Sequence, residues 1–236
     1  MTMSGPERVV LITGATGPLG RVAARLFAAD GDRLVLAGTD EGRLRAVATE
    51  AELGKDRWTP VVVDLVERSA TRDALAATEA TVGPIDVLLH LVGGWTGGTP
   101  VLELDPADVE TMLDQHLRTT LNVVQAVVPG MVARGWGRVL AVTAPPAAEP
   151  AAKLAPYAIG KAAEEVLLRS LAREVADTGV TANLVVVKAI DKDGQRATDP
   201  KKSSWTTPDE IAATLRFLAS DEAAAITGAR IPLFGR

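Results

Sequence analysis

Tyr157 and Lys161 are the two side chains in this sequence with the clearest potential for proton chemistry. Tyr157 is the only tyrosine, and Lys161 follows four residues later, so a helix would carry both on one face. A phenol of pKa about 10 is a poor acid or base near neutrality, and a nearby ammonium favours its phenolate. Such a pair can shuttle a proton while a nicotinamide carries hydride. By itself, Tyr-x-x-x-Lys fits an exposed helix pair equally well. A second motif, Arg8-Val-Val-Leu-Ile-Thr-Gly-Ala-Thr-Gly-Pro-Leu-Gly20, gives it a context. Val9 to Ile12 reads as a buried strand that breaks into Gly14, Gly17 and Gly20, after which Val22, Ala23, Leu26 and Phe27 recur at helical spacing. Strand, glycine turn and helix bind a dinucleotide, because residues without a Cβ let the backbone approach the diphosphate at a helix N-terminus. Gly14, Thr16, Gly17, Leu19 and Gly20 are therefore candidate cofactor contacts.

The elements that would position these residues alternate strand and helix. Further strands are expected at Arg33–Ala37, Trp58–Val63, Asp86–Leu91, Arg138–Thr143, Val180–Val187 and Ala229–Phe234. Helices are expected at Glu41–Leu53, Glu67–Val82, Pro106–Arg134 with a bend near Pro129-Gly130, Pro156–Asp177 and Pro208–Ala219. This alternation implies one α/β domain spanning residues 1–236, a Rossmann-like doubly wound parallel sheet with helices on both faces. The polar segment Asp191–Ser204 is the one stretch that reads as flexible. Apolar residues make up 47% of 236, enough for a sizeable core. The net charge of −5, with no basic cluster, argues against a nucleic-acid surface. No apolar run approaches the ~20 residues that span a bilayer. The first residues lack the basic-then-apolar order of a signal peptide. Zero cysteines exclude disulfides and suit a cytoplasmic protein.

In open parallel sheets ligands sit beyond the carboxyl ends of the strands. Those ends offer Asp64, the Gly93–Gly98 loop with Trp95, Thr143, and the 188–205 loop with Trp205. Either tryptophan could stack on a planar substrate or simply anchor its loop. Thr39 and Asp40 follow the second strand; Asp40 could select NAD by its ribose hydroxyls, or could cap the next helix. The balance leans to NAD over NADP. Two histidines, His90 and His116, without cysteines or ligand spacing suggest no metal site.

Taken together, the chain resembles the short-chain dehydrogenase/reductase family over nearly its whole length. The resemblance rests on Thr13-Gly-Ala-Thr-Gly-Pro-Leu-Gly20, Asp64-Leu65, Gly137-Arg138-Val139, Tyr157-Ala-Ile-Gly-Lys161 and the ending Phe217-Leu-Ala-Ser-Asp221 with Thr227-Gly228. It implies an NAD(P)-dependent oxidoreductase acting on a small molecule, with Tyr157 as acid/base and Lys161 binding the nicotinamide ribose. It also implies that Asp64 with Leu65 meets the adenine, that Val92 and Gly93 line the cofactor, that Asn183 is structural, and that the chain forms a homodimer or homotetramer. The departures are local. Ala144 stands where the family serine is usual, beside Thr143. His116 replaces the helix asparagine, where it could hold a water or a carbonyl near Lys161. His90-Leu-Val-Gly93 replaces Asn-Asn-Ala-Gly, Lys188-Ala189 replaces Pro-Gly, and Pro18 replaces a glycine. The spacing of Gly14, Gly17 and Gly20, the loop Gly93 to Gly98, the segment Ser203 to Thr206 and the missing serine are similar to the quinonoid dihydropteridine reductases, a divergent branch. A quinonoid or imine substrate needs fewer hydrogen-bond donors than a ketone. The competing expectation is a catalytically silent nucleotide-binding protein that acts through a partner.

Overall fold

The computed structural model describes residues 8–235. The signal-peptide reading of residues 1–7 lies outside them. Among the described residues a seven-stranded parallel sheet has the order β3-β2-β1-β4-β5-β6-β7. Its strands are β1 (Val9–Thr13), β2 (Arg33–Gly38), β3 (Trp58–Val62), β4 (Val87–His90), β5 (Gly137–Thr143), β6 (Val180–Val186) and β7 (Arg230–Pro232). Pro60 and Pro232 fall on the two edge strands, where a missing amide donor costs no ladder bond.

The strands are apolar almost without interruption because both faces of the sheet are covered. Val9 and Leu11 of β1 belong to one core with residues of α3 (Arg68–Val82), α5 (Thr119–Arg134) and α6 (Ala155–Glu174). Val10 and Ile12 alternate onto the other face, with α1 (Pro18–Ala29), α2 (Glu41–Glu50) and α7 (Pro208–Leu218). The result is the doubly wound arrangement that the alternation predicts. Chain order along the sheet reverses between β1 and β4. That reversal splays the two loops apart and leaves a crevice at their carboxyl ends.

Two expectations change. The long helix is broken earlier than its proline predicts, into α4 (Pro106–Leu113), one π turn at Asp114–Arg118, and α5. Pro129 lies inside α5. The wide turn is held by side chains: the Thr119 and Thr120 hydroxyls donate to the carbonyls of Gln115 and His116. The 191–204 segment is sewn in place. The buried Asp191 carboxylate accepts from the amides of Gln195 (2.7 Å) and Arg196 (3.0 Å), and Arg196 pairs with Glu210. Polar composition suits a loop tied by side-chain–backbone bonds as well as a free one, so composition alone misreads it.

Candidate active site

A cleft of about 330 Å3 opens at the β1/β4 reversal. It is lined by Gly14, Gly17, Pro18, Leu19 and Gly20 after β1, by Leu91 to Gly94 after β4, by Val142 and Thr143 of β5, by Tyr157 and Lys161 of α6, by His116, and by Val187 to Ile190. The glycine turn and the Tyr/Lys pair, far apart in sequence, thus share one cavity.

The first turn is built by close backbone contact. Gly14 has φ +65°, and a Cβ there would stand 2.5 Å from the Leu91 carbonyl oxygen. A Cβ on Gly20 would stand 2.5 Å from the Gly14 oxygen. Gly17 is different: its Cβ would meet only the Gly14 oxygen, at 3.4 Å. Gly17 is the N-cap of α1 and makes no side-chain cap bond. Pro18 is exposed at the first helical position, where no amide hydrogen is needed. The amides of Leu19 and Gly20 are then first-turn donors that the helix itself does not use. This cradle fits a diphosphate.

Tyr157 lies half-buried on the cleft wall, its ring edge-on to His116 with centroids 5.9 Å apart. The ammonium four residues on is held by two other groups. Lys161 Nζ donates to the Val142 carbonyl (2.8 Å) and to Glu164 (2.7 Å), a carboxylate with no exposure at all. Burial, with Glu164 adding to it, pushes the phenol up to about 12. Burial likewise raises the Glu164 carboxyl above its ordinary value, against the pull of Lys161. An ammonium has three donors, so one remains for a ribose hydroxyl. Thr143, equally buried, donates to Glu165 (2.9 Å), which also accepts from Arg230 (2.7 Å).

His116 points inward from the π turn, with Nε2 3.2 Å from the Gly94 carbonyl. Nδ1, buried beside Gly93, has no partner. His116 thus holds a backbone carbonyl, and Nδ1 is left as an acceptor among the described residues. His90 has a partner on each nitrogen: the Thr119 hydroxyl gives its proton to the Gln115 carbonyl and so accepts from Nε2–H (3.3 Å), which leaves Nδ1 to accept from the Thr13 hydroxyl (2.9 Å). Burial first, then Lys161, lowers both histidines to about 3. Both are neutral at pH 7, whereas the unfolded chain protonates near 6.5. Their depressed folded values make stability full above about pH 6.5 and progressively lost on acidification towards 3. At pH 5 each should cost about 2 kcal/mol, summing to about 4. His116→Asn should halve that loss in urea unfolding measured at pH 7.5 and 5; an unaltered acid limb would exonerate His116.

The remaining candidates divide. Asp40 accepts from the Arg43 amide (2.8 Å) as the N-cap of α2, its second oxygen has no partner among the described residues, and Thr39 beside it is exposed. Thr16 is half-buried, with its methyl near Gly38. The exposed Asp64 turns back onto the Val66 amide (3.0 Å), while Leu65 is buried and its carbonyl is held by Asn122. Asn183 bridges the Ile226 carbonyl and the Ala229 amide. Trp95 is 62% exposed, and Trp205 carries Lys202 over its ring; neither lines the cleft. Glu164 and Glu165 went unnoticed in the sequence. The signal was there, because positions 157, 161 and 164 follow helical spacing down one face.

Residues 8–203 match the short chain dehydrogenase family. The chain is 33% identical over 235 residues to a (2S)-[(R)-hydroxy(phenyl)methyl]succinyl-CoA dehydrogenase subunit BbsC of Thauera aromatica, covering 97% of this chain and 93% of that one. It is 30% identical to an acetoacetyl-CoA reductase of Cupriavidus necator, covering 97% of each. Among solved structures, a gluconate 5-dehydrogenase of Burkholderia cenocepacia in complex with NADP and tartrate superposes with a TM-score of 0.86 at 26% identity, covering 97% of this chain and 94% of that one. Fold, cleft and sequence agree that the chain belongs to the short-chain dehydrogenase/reductase family of oxidoreductases. Among the described residues no helix is long and apolar enough to cross a membrane.

Proposed function

We propose that this protein is a cytoplasmic NAD(P)-dependent reductase of a small carbonyl, quinonoid or imine compound, with Tyr157 as the proton donor. The observation that carries this reading is the convergence of the glycine turn, Tyr157 and Lys161 on one cleft. The reduced nicotinamide, when bound, supplies hydride. The chain's own residues do the rest. The amides of Leu19 and Gly20 receive the diphosphate, and the open position at Gly17 lets it come close. The spare Lys161 donor holds a ribose hydroxyl. Tyr157 gives its proton to the substrate oxygen or nitrogen as charge builds there.

Ala144 offers no second donor, and the Thr143 hydroxyl is committed to Glu165. A single donor suits an acceptor already activated by conjugation. A pterin-like ring has less support, since neither Trp95 nor Trp205 lines the cleft. The second oxygen of Asp40 favours ribose hydroxyls over a 2′-phosphate, hence NAD over NADP. The outer groove between α5 and α6, lined by Leu121, Val124, Val128, Val132 and Leu167, supports pairing of two copies into a homodimer or homotetramer.

The second reading, a catalytically silent nucleotide-binding protein, is favoured by one observation: the Lys161 ammonium is held by the Val142 carbonyl and the Glu164 carboxylate. Titration with NADH and NADPH followed by nicotinamide fluorescence separates the two. The reductase should bind NADH more tightly than NADPH, with a dissociation constant below roughly 1 mM, and should oxidise it with a quinonoid or ketone acceptor. Binding without turnover across such a panel would favour the silent protein. No binding of either nucleotide would remove both.

A further inference from the structure

One charge in the cleft has no counterion. The lining carries two charged side chains, Lys161 and Lys188, and no carboxylate, in a chain whose net charge is −5. Lys161 has its carboxylate in the buried Glu164, 2.7 Å away. Lys188, which stands where proline is usual in the family, makes no hydrogen bond or ion pair among the described residues. The carboxylates of its own segment are taken: Asp191 by the amides of Gln195 and Arg196, Asp193 by the Gln195 side chain, and Asp199 by Lys202. The Lys188 ammonium rests instead over the Phe234 ring, 5.3 Å from its centroid. An aromatic face holds a cation in place without neutralising it.

Both members of that pair are set by the backbone. Val187 donates to the Thr143 carbonyl and Thr206 to that of Ala189, each at 3.0 Å, so the chain is bonded on either side of Lys188. Around Phe234, the Leu233 amide donates to the Val186 carbonyl (2.9 Å) and the Gly235 amide to that of Ser204 (3.3 Å). Val186 pairs with Thr143, so Lys188 leaves the sheet beside β5, whose Val142 carbonyl holds Lys161. The glycine turn follows β1, three strands from β6. At about 4.8 Å per neighbour that is roughly 14 Å. Lys188 therefore lies beyond the Tyr157/Lys161 pair as seen from the diphosphate cradle.

We propose that Lys188 binds a carboxylate of the substrate, so that the acceptor is a small carbonyl compound that is also an acid. This rests on the oxidoreductase reading above and deepens it. The carboxylate stays unchanged while the carbonyl carbon takes hydride and its oxygen takes the Tyr157 proton. A charge-assisted hydrogen bond is roughly twice as strong as a neutral one. The apolar walls at Val92, Val142, Val187 and Ile190 strengthen it further by keeping water away.

Acids and their neutral esters test this directly: acetoacetate against methyl acetoacetate, and pyruvate against methyl pyruvate. Ligand-observed NMR on the NADH-saturated protein reads their binding without any turnover. The parent should bind the acid of at least one pair about tenfold more tightly than its ester, and added salt should erode that difference. Lys188→Met keeps the stem and removes the charge, so it should erase the preference by weakening the acid. Lys188→Arg should retain it. In turnover the K188M loss should fall on KM rather than kcat, as for a contact made equally in ground and transition states. Equal binding of acid and ester in both pairs would overturn the proposal, as would a preference that survives in K188M. A fall in NADH affinity in K188M would assign the charge to the cofactor diphosphate and overturn it equally. The oxidoreductase reading fails separately, by an absence of turnover while acids still bind through Lys188. Should NADH itself not bind, the same titrations on nucleotide-free protein decide by the same criteria.

Discussion

Tyr157→Phe should lower kcat by about 10²–10⁴-fold, the usual worth of a positioned general acid, and leave NADH affinity nearly unchanged. The substitution removes one oxygen. The ring keeps its edge-on contact with His116, and the hydroxyl makes no hydrogen bond among the described residues. Folding stability should therefore shift by less than about 1 kcal/mol. The expected rate loss corresponds to about 3–5 kcal/mol of barrier. It should lie at the upper end, because no other donor is free to substitute: Ala144 has no hydroxyl, and that of Thr143 is bound to Glu165. The measurement pairs initial rates of NADH oxidation with direct NADH titration of the variant. A kcat within about tenfold of the parent would assign the proton to another group.

Gly14→Ala should cost the fold roughly 2–5 kcal/mol and abolish nucleotide binding. Its φ of +65° strains any other L residue by about 1–2 kcal/mol. The new methyl would also stand 2.5 Å from the Leu91 carbonyl, an overpacking worth about 1–3 kcal/mol more. That contact joins the loops after β1 and β4, so relieving it moves both walls of the cleft. Gly17→Ala is the informative contrast. A methyl there meets only the Gly14 oxygen at 3.4 Å, so the fold should barely notice. The residue lines the cleft, however, and nucleotide affinity should fall by about tenfold or more, some 1.4 kcal/mol. Urea unfolding beside NADH titration separates the two effects. Equal stability losses in both variants would contradict this division of labour among the glycines.

Much of this arrangement is legible in the sequence because it obeys short-range rules. The apolar runs of β1, β4, β5 and β6, the glycine turn and the helix carrying Tyr157 and Lys161 declare themselves by periodicity and spacing. Three things do not. The π turn at Asp114–Arg118 depends on where the Thr119 and Thr120 hydroxyls find carbonyls, and helical spacing is blind to one extra residue. The order in the 191–204 segment depends on a buried aspartate bonding amides four and five residues on. The partners of Lys161 depend on a competition that spacing cannot decide. A lysine one turn away can serve the phenol or a carboxylate, and here Glu164 takes it.

The π turn also separates two surfaces of the same helical rod. Each residue of an α-helix advances the face by about 100°, but a π turn takes up one extra residue within itself, so excising one residue from Asp114–Arg118 would return it to an α turn and leave the outward stripe of Leu121, Val128 and Val132 facing as before. The stretch before the turn would stay seated against α6. Loss of a single residue at this point could therefore pass without turning either the outer stripe or the inner wall of the crevice.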